Sequence, residues 1–188
     1  MAAPPMDRYA PLKTRTLALV GMMGVGKSSV GRRVAAALDM PFYDADAEVE
    51  RAAGRSINDI FADLGEPAFR EGERRVISRL LDGPPHILAT GGGAFMNDET
   101  RRLIKAKAVS IWLKADIAVL ARRLARKDNR PLLKGPEPPA VVLARLAEAR
   151  DPTYAEADLT VETGDAPHQV TVDQVLRAVG DYLESQER

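Results

Sequence analysis

The segment from Gly21 to Ser28 reads GMMGVGKS, and Gly21, Gly26, Lys27 and Ser28 meet the spacing G-x-x-x-x-G-K-[ST]. Each position has a mechanical reason. Glycines let the backbone curl so that N–H groups of Gly24, Val25, Gly26, Lys27, Ser28 and Ser29 turn inward on a phosphate, and the following helix adds the positive end of its dipole. The Lys27 ammonium reaches β- and γ-phosphates, and the Ser28 hydroxyl is a ligand for Mg²⁺. Leu17 to Val20 before the loop is an apolar run, and Val30, Val34, Ala37 and Leu38 after it recur at helical spacing. The loop therefore joins a strand to a helix, where a nucleoside triphosphate would be held. A glycine turn that merely connects two elements requires neither the lysine nor the hydroxyl.

Asp44 and Asp46 stand at the end of the next apolar segment, Phe42 to Asp44, with a spacing that projects both carboxylates from one side of an extended chain. One could hold the water ligands of a magnesium ion, and the other could orient an acceptor hydroxyl or take its proton. Capping of a following helix is the competing use of aspartate at such a place. Gly91, Gly92 and Gly93 follow a third run, Ile87 to Thr90, and serve either as a tight turn or as a close backbone approach to a ligand. Since switches, motors and kinases share the phosphate loop, the loop alone does not say where the phosphoryl group goes.

The elements that must position these residues follow from the rest of the pattern. Ser56-Ile57-Asn58-Asp59 reads as a capping signal before Ile60, Phe61 and Leu64; Gly65 closes that helix, and Pro67 opens another bearing Val76, Ile77, Leu80 and Leu81. Ser110 to Leu113 and Leu159 to Val161 supply two more strands, with Asp116 capping a helix that carries Ile117, Leu120 and Leu124. Thr171 and Gln174 suggest a capping box before Val172, Val175, Leu176, Val179 and Leu183. Five strands alternating with helices imply an α/β protein whose parallel sheet is covered on both faces and gathers ligands at the carboxyl ends of its strands. Lys127 to Pro139 breaks the alternation with prolines, glycine and charge and reads as a mobile surface loop.

Composition narrows the partners. A chain of 188 residues, 45% hydrophobic and 29% charged, fits one domain, and 27 basic residues against 27 acidic ones leave no positive field to gather nucleic acid or an anionic membrane. The lack of cysteine excludes disulfides and thiolate chemistry and is compatible with the cytosol. Met1 to Lys13 is proline-rich, lacks the pattern of a signal peptide, and is read as a disordered tail. Leu17 to Val25 is about half the length a membrane-spanning helix needs. With no long exposed apolar stripe, a monomer is the default.

Taken together, GMMGVGKS, Asp44-Ala45-Asp46, GRSINDIF at 54 to 61, GEPAFREGE at 65 to 73, ATGGGA at 89 to 94, NRPLL at 129 to 133 and Arg150-Asp151-Pro152-Thr153-Tyr154 resemble the shikimate kinases over nearly the whole chain after the tail. The resemblance implies a P-loop kinase fold of the nucleoside monophosphate kinase-like class: one domain over 14–188, a five-stranded parallel sheet flanked by helices, and a mobile lid at about 125–138. It implies ATP and Mg²⁺ as cofactors, shikimate as the small-molecule substrate phosphorylated on its 3-hydroxyl, and a cytoplasmic place in aromatic amino-acid biosynthesis. By similarity, Arg70 and Arg150 clamp the acceptor carboxylate, and Asp46 binds ring hydroxyls and acts as base. Gly91, Gly92 and Gly93 bring backbone N–H groups close, Phe61 and Phe69 wall the pocket, and Glu73 orients Arg70. On the nucleotide side, Ser28 ligates Mg²⁺, Asp44 reaches it through water, and Lys27 and Arg130 stabilise the transferring phosphate. Arg123 contacts adenine, and the stretch from Thr163 to Pro167 lines the base. Two other readings share the loop: a related kinase for gluconate or another polyol acid, and a nucleotide-binding regulatory module without catalysis.

Overall fold

The computed structural model describes residues 6–125 and 137–186. Among them a five-stranded, wholly parallel sheet runs in the order β2-β3-β1-β4-β5, with β1 Thr16–Val20, β2 Phe42–Asp44, β3 Ile87–Ala89, β4 Ala108–Ala115 and β5 Leu159–Thr163. The centre of the sheet explains its sequence. All five residues of β1 are buried, because helices cover both faces, whereas β5 at the edge alternates buried and exposed positions. Leu17 of β1 sits in register with Ile87 on one side and Val109 on the other, so three apolar runs meet at the middle of the core.

The helices are α1 Lys27–Leu38, α2 Ala45–Ala53, α3 Ile57–Leu81, α4 Asp98–Lys107, α5 Ile117–Leu124, α6 Pro139–Tyr154 and α7 His168–Gln186. The α3 span is two helices in one: Gly65 has φ 81 and ψ 172, which breaks the turn before Pro67 as its sequence suggests. Ser56 caps the first of them, its Oγ accepting from the Asp59 N–H at 3.1 Å. Val49 of α2 with Ile60, Phe69 and Val76 of α3 form a small core of their own, which makes these two helices a firm wall beside the sheet. Because β1 is followed in sequence by β2 but paired with β3 and β4, the chain after β1 leaves over a crevice at the carboxyl ends of the strands.

Two expectations change. Residues 6–14 form a short 3₁₀ segment rather than a disordered tail, because Tyr9 and Leu12, three apart, anchor in the core and the Tyr9 hydroxyl donates to the Leu176 carbonyl at 3.0 Å. Arg8 adds ion pairs to Asp181 at 2.7 Å and Glu184 at 3.1 Å on α7. Helix α7 begins at His168, directly after Pro167, so Thr171 lies inside it and faces the core instead of capping it. Helices α2, α4 and α6 follow segments whose apolar periodicity is weak.

His86 precedes β3 at the pole opposite the glycine loops. It is 1% exposed, with Nδ1 2.9 Å from the Pro84 carbonyl and 3.3 Å from Thr16 Oγ1, and Nε2 has no hydrogen-bond partner among the described residues. Burial lowers its pKa, against the opposing effect of the Pro84 carbonyl. A base with a lowered folded pKa binds its proton first in the unfolded chain, so its contribution to stability is whole above the usual histidine range and declines as pH falls through it. Melting curves between pH 7.5 and 5.5 are therefore expected to show a loss of stability that His86→Gln reduces; parallel slopes in the two proteins would contradict this.

Candidate active site

The site is built at the carboxyl ends of β1, β2 and β3. The loop between β1 and α1 turns through Gly21, Gly24 and Gly26, all at positive φ (136, 79 and 103), a conformation that disfavours other residues. Lys27 opens α1 and is only 8% exposed; its ammonium donates to the carbonyls of Gly21 at 2.7 Å and Met22 at 2.9 Å, holding the loop as a ring. The Val25 side chain is buried in the core, so only its backbone faces the loop interior. A cavity of about 310 Å³ opens over this ring and is lined by Gly24, Gly26, Lys27, Ser28, Ser29, Asp44, Asp46 and Arg123.

Asp44 has two tasks. Its Oδ1 accepts from the backbone N–H of Asp46 at 3.1 Å and of Ala47 at 3.4 Å, capping α2, while Oδ2 accepts from the Ser28 hydroxyl at 2.5 Å. Asp46 thus lies in the first turn of a helix and not on an extended segment, and Asp44 caps that helix. A hydroxyl and a carboxylate side by side beside a phosphate loop suit Mg²⁺, a hard cation that keeps several waters and takes one or two protein oxygens together with phosphates. No cluster of three or more His, Cys, Asp or Glu that could cage a metal occurs among the described residues.

A second cavity of about 100 Å³ adjoins the first and shares Met23, Asp46 and Gly92 with it. Ile57, Phe61, Phe69, Arg70, Glu73, Gly91, Gly93 and Arg150 complete its lining. The two phenyl rings pack at 4.8 Å between centroids, and the Arg70 guanidinium lies 5.2 Å from the Phe69 ring centre. Arg70 Nη1 meets Glu73 Oε2 at 3.0 Å and its Nη2 meets Glu66 Oε1 at 3.0 Å. Burial works against the Arg70 cation, yet these carboxylates hold its pKa above the usual value. Glu73 is 3% exposed, its Oε1 makes no hydrogen bond among the described residues, and burial raises its pKa against the pull of Arg70. The burial effect decides Glu73, because a carboxylate with one unsatisfied oxygen in the core is poorly solvated.

The three glycines after β3 make room for these charges. A Cβ on Gly91 would overlap Glu73 Oε1 and stand 2.9 Å from Asp46 Oδ1, and one on Gly93 would stand 2.6 Å from Arg70 Nη2. Gly92 offers its carbonyl to Arg150 Nη1 at 3.2 Å and to the Tyr154 hydroxyl. On the nucleotide side, Arg123 bridges the Val25 carbonyl at 3.1 Å and the Gly164 carbonyl, so it stands between the phosphate loop and the stretch after β5. Arg130 and most of the lid at about 125–138 lie outside the described residues.

The sequence reading missed Met23, Thr90 and His168 in the larger cavity and Ile57 in the smaller one. Ile57 and Thr90 sit inside segments already singled out, GRSINDIF and ATGGGA, and could have been found there. Met23 looks like filler within the loop motif, and His168 becomes visible only once α7 is seen to start beside Gly26, whose Cβ position lies 3.7 Å from the His168 ring. Trp112 is 5% exposed and belongs to the core, as its strand position suggests.

Comparisons with known proteins agree with this layout. The family model for shikimate kinase matches residues 23–180. A shikimate kinase of Caulobacter vibrioides is 68% identical over 173 residues, which cover 92% of this chain and 86% of that one. The structure of shikimate kinase from Acinetobacter baumannii in complex with shikimate superposes with a TM-score of 0.85 at 35% identity, covering 92% of this chain and 96% of that one. A gluconokinase from Sinorhizobium meliloti, at TM-score 0.61 and 20% identity over 93% of this chain and 97% of that one, shares the fold alone. With its phosphate loop facing a second, arginine-lined cavity across Asp46, the chain belongs to the shikimate kinase family of ATP- and Mg²⁺-dependent phosphotransferases.

Proposed function

We propose that the larger cavity holds ATP and the smaller one shikimate, with the γ-phosphoryl group passing between them to the 3-hydroxyl. The observation that carries this assignment is the shared wall: Asp46 lines both cavities, so one carboxylate faces the triphosphate site and the acceptor site at once. Arg70 and Arg150, both half-buried in the smaller cavity, would receive the acceptor carboxylate in charge-assisted hydrogen bonds, with Glu73 and Glu66 fixing the Arg70 fork. Phe61 and Phe69 would bound the ring, and the backbone of Gly91, Gly92 and Gly93 would meet its hydroxyls. Arg123 and the stretch from Thr163 to Pro167 would flank adenine.

In the transfer, Asp46 takes the proton of the attacking hydroxyl, the hydroxyl oxygen forms a bond to the γ-phosphorus, and the bond from that phosphorus to the β,γ-bridging oxygen breaks to release ADP. Ser28 would hold Mg²⁺ and Asp44 would reach it through water, and the ion would supply positive charge against the phosphate oxygens. Lys27 and Arg130 stabilise charge on the group in flight, and a lid over about 125–138 would exclude water. Direct transfer between the two substrates needs no covalent enzyme intermediate.

A biosynthetic enzyme of this kind acts in the cytoplasm, here as a monomer without nucleic acid or membrane partners. No helix among the described residues is long and apolar enough to cross a membrane. Release of ADP from ATP and Mg²⁺, measured by a coupled assay with shikimate, gluconate and other hydroxy acids as acceptors, tests the assignment. Turnover well above the ATPase background is expected with shikimate and background with gluconate; background with shikimate sinks it.

A further inference from the structure

Gly92 is where the acceptor cavity rests on the phosphate loop. It lines both cavities, and a Cβ built on it would stand 3.2 Å from the Met23 nitrogen, so backbone meets backbone there. Its carbonyl receives two donors from α6, Arg150 Nη1 at 3.2 Å and the Tyr154 hydroxyl. These donors differ in their freedom. Arg150 is half-buried and lines the acceptor cavity, so a rotation of its long side chain brings it to an acceptor carboxylate. Tyr154 is 0% exposed, with its ring stacked against Phe95 at 6.5 Å and Trp112 at 5.8 Å, so packing aims its hydroxyl at Gly92 permanently. Burial pushes the phenol up to about 12, against the opposing effect of Arg150, which keeps it a donor at any ordinary pH.

We propose that Tyr154 is a positioning residue for the acceptor: its hydroxyl retains the Gly92 carbonyl while Arg150 leaves that carbonyl for the acceptor carboxylate. A carbonyl oxygen with two lone pairs and two donors gives up one donor readily. Without the phenol, Arg150 is the remaining donor of the pair, and drawing it away leaves a partly buried carbonyl with neither, a loss the acceptor has to offset. The hydroxyl thus makes Arg150 available and keeps Gly92 seated on the phosphate loop during the exchange. This inference rests on the reading of Arg150 as the carboxylate partner.

Tyr154→Phe removes the hydroxyl and keeps the ring stack. It is expected to raise the KM for shikimate about tenfold while leaving the KM for ATP unchanged. An acceptor analogue that lacks the carboxylate never calls Arg150 away, so its KM should be the same in wild type and Tyr154→Phe. Equal losses on both acceptors, an equal loss in the KM for ATP, or no change for shikimate overturns the proposal. Phe95→Leu loosens the ring stack and retains the hydroxyl; it should lower the melting temperature and separate the two acceptors less than Tyr154→Phe does, and a larger separation there would also overturn it. Arg150→Ala tells the two readings apart. If it leaves the KM for shikimate unchanged, the carboxylate assignment itself fails; if it raises that KM while Tyr154→Phe does not, only the role of Tyr154 fails.

Discussion

Asp46→Asn is expected to lower kcat for shikimate phosphorylation by about two to four orders of magnitude while the KM for ATP stays near its wild-type value. The substitution preserves shape and most hydrogen bonding but removes the charge and the proton acceptor. Asp46 is held in place from three sides. Its backbone N–H donates to Asp44 Oδ1 at 3.1 Å, it lies in the first turn of α2, where the helix dipole favours a carboxylate, and Gly91 leaves the space its Oδ1 approaches. Because the asparagine retains the backbone bond to Asp44 and the space at Gly91, the KM for shikimate should change far less than kcat. That split separates loss of a base from loss of binding. Steady-state kinetics with both substrates varied provides the check, and an unchanged kcat would remove Asp46 from the proton transfer.

Asp44 explains why the two aspartates must be so close in sequence. One of its oxygens fixes the backbone of Asp46 and the other holds Ser28. Ser28 in the larger cavity and Asp46 in both cavities are therefore positioned by a single residue at the end of β2. This link was half legible from the sequence. Spacing and residue type pointed to paired carboxylates beside a strand end, but the strand ends at Asp44 and α2 begins at Ala45, so the pair projects from a helix start and not from an extended segment. Aspartate serves both uses, and only the path of the following chain distinguishes them.

Elsewhere the same division holds. The phosphate loop, the five strands and the break at Gly65 were readable, because apolar runs, glycines and prolines impose local conformations that tertiary packing does not override. The fold of residues 6–14 was not readable, since it depends on contacts with Leu176, Asp181 and Glu184, far along the chain. Arg70 and Arg150 were readable only through their motifs. Charged residues on a helix are solvated by default, and what draws these two inward is a buried carboxylate at Glu73 and a carbonyl at Gly92, neither of which has a local signature. The glycines at 91 and 93 gain their meaning in the same way, from the side chains that occupy the volume they leave.

Lys27→Met should lower kcat by about two to three orders of magnitude and weaken ATP binding as well. In the structure the ammonium is bonded to two neutral carbonyls, Gly21 at 2.7 Å and Met22 at 2.9 Å. Hydrogen bonds from a cation to an anionic phosphate oxygen are stronger than those to a neutral carbonyl, so a bound triphosphate draws the ammonium from the loop. The lysine thus has two successive partners: it holds the loop before the nucleotide binds and holds the phosphates afterwards. Methionine fills the same buried volume and serves neither. The variant should therefore melt lower than the wild type without nucleotide, as the loop carbonyls lose a donor, and should gain little stability from ATP and Mg²⁺. Paired melting curves with and without nucleotide, beside the kinetics, test both halves. If turnover and the nucleotide-induced shift both match the wild type, Lys27 has no part in holding phosphate; a shift lost with turnover intact would confine it to the ground state.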